Sequence, residues 1–127
     1  MAIGGMGRLA DLMRPGGNQL RGQSAFCMLH PHLGGRLDYP DTAGLAAPKP
    51  MLFVSGRDDR HFPAAAAEAA FAELHRIWRA SGDHSAVETR LVDAGHSFTA
   101  AAQAPALLFL ERSLSLAAAT PTAERTE

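Results

Sequence analysis

Residues 51–62 read Met51-Leu52-Phe53-Val54-Ser55-Gly56-Arg57-Asp58-Asp59-Arg60-His61-Phe62. The first five residues are apolar or β-branched and stop at a glycine, which predicts a short buried strand over 51–55. The charged loop behind it carries Asp58 and Asp59 to the end of that strand. A second strand is predicted over 87–92, where Val87, Thr89 and Leu91 alternate with Glu88 and Arg90, the pattern of a strand better covered on one side. It leads straight into Ala94-Gly95-His96-Ser97-Phe98. An acid and a histidine therefore both follow the carboxyl ends of strands, which is where open α/β sheets place their chemistry.

Between the strands, Ala67, Ala70, Phe71, Leu74, Ile77 and Trp78 recur three and four residues apart, one apolar face of an amphipathic helix. Pro63 suits its first turn and Gly82 its stop. A second helix is expected over 101–116, with Leu107, Phe109, Leu110 and Leu114 buried and Pro105 in its first turn or bending it. The order from residue 51 is strand, acid loop, helix, strand, histidine loop, helix, and a parallel pair joined by a helical crossover is the economical arrangement. The fold class expected is α/β.

Working outward, residues 1–50 read as an irregular connector rich in Gly and Pro, with a helical turn near 8–13, a segment at 23–29, a turn at Asp38-Tyr39-Pro40-Asp41 and a further turn at 42–46. Residues 51–116 form the regular segment, and 117–127 have little to bury and read as a frayed tail. The 127 residues are one domain's worth. A net charge of -1 with scattered single Arg argues against nucleic acid and against an anionic membrane surface. No apolar run approaches the roughly 20 residues that span a bilayer. The single cysteine, Cys27, cannot form an internal disulfide, and no secretory signal opens the chain, so a cytoplasmic location is expected.

The stretch from Pro48 to Pro63, followed a helix and a strand later by Gly95-His96-Ser97-Phe98, resembles the C-terminal portion of an α/β-hydrolase, nearest the dienelactone hydrolase and acetyl-esterase-like branch. Asp38-Tyr39-Pro40-Asp41 fits that branch too. The resemblance implies a partial α/β-hydrolase fold, with C-terminal parallel strands and flanking helices, acting on a small-molecule carboxylic ester or lactone without cofactor or metal. It also implies that Asp59, three residues past Gly56, orients a general base, His96. Independently, a serine hydroxyl needs an imidazole to take its proton, and the imidazole needs a carboxylate to fix its tautomer. Adjacent carboxylates point apart, so only one of Asp58 and Asp59 can serve.

The chain departs from that family in lacking a Gly-x-Ser-x-Gly nucleophile elbow. Its nearest echo, Gly22-Gln23-Ser24-Ala25-Phe26, has no second glycine and no preceding strand, and reads as an ordinary loop. Cys27 reads as a buried structural thiol. A C-terminal piece is the expectation, from a start upstream of Met1 or a broken gene, inactive alone and prone to self-association through an uncovered sheet edge. A non-catalytic interaction module derived from the same fold is the competing reading. His30, His32, His61 and His84 show no zinc-ligand spacing, and His61 reads as a rim residue. Phe62 and Phe98 flank the presumed site, Phe71 and Trp78 read as core, and Gly4-Gly5-Met6-Gly7 follows no predicted strand.

Overall fold

The computed structural model describes residues 1–12 and 35–119. Three parallel strands, β1 (Ala2–Ile3), β2 (Met51–Gly56) and β3 (Val87–Val92), form one sheet in the order β1-β2-β3. Helices α1 (Leu9–Leu12) and α2 (Tyr39–Gly44) lie between β1 and β2 in the chain, α3 (Ala64–Ala80) joins β2 to β3, and α4 (Ala100–Ala119) follows β3. This is a small α/β arrangement with flanking helices.

Strand alternation assigns the helices to opposite faces. Phe53 on β2 and Val87 on β3 share a core with Ala67, Ala70, Phe71, Leu74 and Trp78 of α3. The intervening Leu52 and Val54 pack instead with Ala102, Ala106 and Phe109 of α4. The α3 face is the one read from the helical spacing, and Trp78 sits fully buried with its indole N–H donating to the Lys49 carbonyl at 3.0 Å. After α3 the chain reverses at Gly82, whose φ of +96° is the left-handed conformation that favours glycine. A 3₁₀ turn (His84–Ala86) then leads into β3. Asp83 caps it, and the hydrogen bond from the Ser85 hydroxyl holds the Asp83 carboxyl below its ordinary pKa.

The α4 face differs from expectation. Phe109 is buried, but Leu107, Leu110 and Leu114 are 65%, 37% and 68% exposed. The helix turns Ala102 and Ala106 to the sheet, so the leucines one step round the helix miss it. Pro105 falls in the second turn, and the helix runs on through it to Ala119. Arg112 on α4 also pairs with Glu88 on β3.

Residues 2–3, expected to be irregular, form β1 instead, pairing Ala2 with Phe53 and Ile3 with Val54. The edge of β2 expected to be uncovered is therefore occupied over these residues. β3 is an edge strand, as its alternation predicts. The turn at Asp38-Tyr39-Pro40-Asp41 begins α2 as a capping box, with Asp38 N–H donating to Asp41 Oδ2 and the Tyr39 N–H donating to Asp38 Oδ1. Asp38 Oδ1 also accepts the Leu9 N–H at 2.7 Å, tying α1 to α2.

One glycine controls the upper end of the sheet. A Cβ at Gly56 would lie 2.3 Å from the Ala94 carbonyl oxygen and 2.4 Å from that of Gly95. Backbone cannot yield by that much without parting β2 from β3. Gly56→Ala should therefore destabilise the chain by about 3 kcal/mol or more in denaturant unfolding. Gly5→Ala, whose methyl would enter open space, should stay within about 1 kcal/mol of the parent.

Candidate active site

β2 and β3 run in register from Met51 opposite Val87 to Gly56 opposite Val92, so both end at the same rim. Their backbones stay joined beyond the strands. Arg57 N–H donates to the Val92 carbonyl at 2.8 Å and Asp58 N–H to that of Ala94 at 3.0 Å. The acid loop and the histidine loop are thus laid against each other before any side chain is considered.

Asp59 points inward, only 4% exposed, whereas Asp58 faces solvent. One oxygen of Asp59, Oδ1, accepts the backbone N–H groups of His61 at 2.7 Å and Phe62 at 3.1 Å. The other, Oδ2, lies 2.9 Å from His96 Nδ1. A carboxylate can only accept, so Nδ1 carries the proton and donates. That fixes the imidazole tautomer and leaves the Nε2 lone pair free to take a proton.

The ring of His96 is held on several sides. Phe62 stacks on it with centroids 6.0 Å apart and planes 21° apart, and His61 meets it edge-on at 4.9 Å and 75°. At the end of β1, Gly4 has φ +69°, and a Cβ there would lie 3.4 Å from His96 Cε1 and 3.6 Å from Nδ1. The remaining side is open. The His96 side chain is 47% exposed and opens on a cleft of about 270 Å³ lined also by Ile3, Gly4, Ser97 and Phe98.

The structure thus brings Asp59 and His96 together, with Phe98 lining the cleft and Phe62 against the imidazole. Gly4 was missed in the sequence because β1 is too short to show a period; its only signal is a glycine pair directly after two apolar residues. Among the described residues no hydroxyl or thiol is hydrogen-bonded to His96 Nε2. The Ser55 hydroxyl is buried without a partner inside the sheet. No group of three or more His, Cys, Asp or Glu among the described residues could hold a metal ion. His84 lies apart, in the turn before β3. Ser24, Cys27, His30 and His32 lie outside the described residues, as does the segment expected at 23–29. No helix among the described residues is long and apolar enough to cross a membrane.

Comparison with protein-family models, curated proteins and solved structures finds no match to this chain. A buried carboxylate holding an imidazole by one nitrogen, with the other nitrogen open to a cleft, is a proton acceptor with a fixed direction.

Asp59 also holds the loop together. Asp59→Ala strands the N–H groups of His61 and Phe62, and unfolding in denaturant should show a loss of about 2 kcal/mol or more. Asp59→Asn keeps an oxygen for those two donors but presents an amide to His96, so it should lose roughly half as much. An Asp59→Ala variant as stable as the parent would contradict this bonding.

Proposed function

We propose that this chain is the acid-and-base part of a serine hydrolase of the α/β-hydrolase class, acting on carboxylic esters or lactones. The observation that carries this reading is the 2.9 Å contact between buried Asp59 and His96 at the common rim of two adjacent parallel strands. In such a site a serine hydroxyl attacks the ester carbonyl as His96 Nε2 removes its proton. Asp59 steadies the imidazolium, and His96 then gives the proton to the departing alkoxide. Water repeats the cycle on the acyl-enzyme, with His96 again taking a proton before the serine is released.

The serine itself is the missing part. No Gly-x-Ser-x-Gly elbow occurs in the sequence, and the elbow would also supply a backbone N–H to the oxyanion hole. Loss of the serine costs about a millionfold in turnover in a related triad. The chain alone should therefore hydrolyse esters near the background rate.

A second reading, a non-catalytic interaction module, draws on the exposed row of Leu107, Leu110 and Leu114, which leaves apolar surface uncovered on α4. A fluorophosphonate probe separates the two. Applied to a chain extended upstream in its reading frame, it should label a serine, and His96→Ala should slow labelling by about 10⁴-fold or more. If no extended version is labelled, the hydrolase reading fails and the module stands.

A further inference from the structure

We infer that His61 is a positioning residue for His96, keeping the imidazole in the orientation and tautomer that leave Nε2 open; this rests on the Asp59–His96 reading above. His61 is coupled to the pair twice. Its backbone N–H donates to Asp59 Oδ1 at 2.7 Å, which ties residue 61 to the carboxylate that anchors His96. Its ring then meets the His96 ring edge-on at 4.9 Å. His61 thus touches both members of the pair, by main chain and by side chain, as Phe62 also does.

The neighbouring Phe62 has a different reason to be where it is. Its ring is 6% exposed and packs with Leu12 and Ala66 in a core of its own, so its stacking on His96 is one of several contacts. The half-buried His61 ring makes its aromatic contact, among the described residues, with His96.

His96 needs such help. It projects from a loop with its side chain 47% exposed, where water competes for Nδ1 and a free ring would sample other rotamers. Phe62 stacks on one face, a Cβ at Gly4 would meet the Cε1–Nδ1 edge, and the His61 ring stands edge-on to the imidazole. An edge-on aromatic contact favours the held orientation by about two- to tenfold in population. The contact is one of ring edges, so a phenyl ring at position 61 should replace it.

Tautomers give a direct test. In the ¹⁵N-labelled chain, long-range ¹H–¹⁵N correlation at about pH 8.5, where imidazoles are ordinarily neutral, reports which ring nitrogen carries the proton. A free histidine side chain favours Nε2–H, so loss of positioning shifts His96 toward that form. The parent should show His96 as Nδ1–H, with Asp59→Asn abolishing it. His61→Ala should lower the Nδ1–H to Nε2–H ratio by about threefold or more, and His61→Phe should restore it. A ratio unchanged in His61→Ala, or not restored by His61→Phe, overturns the role of His61 while leaving the Asp59–His96 pair intact. A parent in which His96 is not Nδ1–H, or in which Asp59→Asn changes nothing, overturns the pair and His61's role together.

Discussion

The close approach of the two loops at Gly56 is the constraint from which the rest of the site follows. Asp59 and His96 are far apart in sequence, and they meet because the chain at Gly56 passes within a hydrogen atom's allowance of the Ala94 and Gly95 carbonyls. Among the described residues, two of the three hydrogen bonds to the Asp59 carboxylate are local, from the N–H groups of His61 and Phe62. Only the bond to His96 requires that β2 and β3 pair in register. The bond to His96 is the long-range one of the set, and the other two are made within the acid loop.

The two faces of the sheet serve different ends. Under α3, large side chains such as Phe71, Leu74 and Trp78 fill the core, and their removal from water stabilises the fold. Over the other face, α4 meets β2 through alanines and Phe109. A helix that contacts a sheet through small residues keeps its larger ones for its flanks. Arg112 reaches toward Glu88 on β3, so the leucines on the opposite flank point away from β3. Of the sheet's two edges, β3 carries Glu88 and Arg90 in an exposed ion pair, a common way to blunt an edge. β1 is two residues long and carries no charge.

What the sequence revealed tracks the strength of each local signal. β2, α3 and β3 were legible because each repeats a period long enough to recognise, and Pro63 and Gly82 punctuate the helix as the backbone requires. β1 was not, since two residues contain no period and their pairing is decided by Phe53 and Val54. On α4 the composition misled: leucine suggests burial, but the alanines at 102 and 106 are what let the helix approach the sheet. In the site, the resemblance singled out Asp59 and His96, and adjacent carboxylates pointing apart explains why Asp58 stands in solvent. The contributions of Gly4 and Phe62 to the imidazole's seat depend on strand pairing and on the turn after Asp59, which no local pattern announces.

Magnitudes set how much of a hydrolase such a pair could be. A positioned general base contributes about 10² to 10⁴ in rate, and His96 with a fixed tautomer is suited to that share. Donors aimed at the developing oxyanion add about 10² to 10³ each, and a covalent intermediate divides one difficult step into two easier ones. Those two shares need a nucleophile on a backbone turn whose N–H groups face the same carbonyl. His96 Nε2 supplies the direction in which such a nucleophile would have to approach, from the open cleft beside Gly4 and Phe98. Under the hydrolase reading proposed above, the seating of the imidazole would be this chain's share, and Asp59 is what gives that seating its bearing.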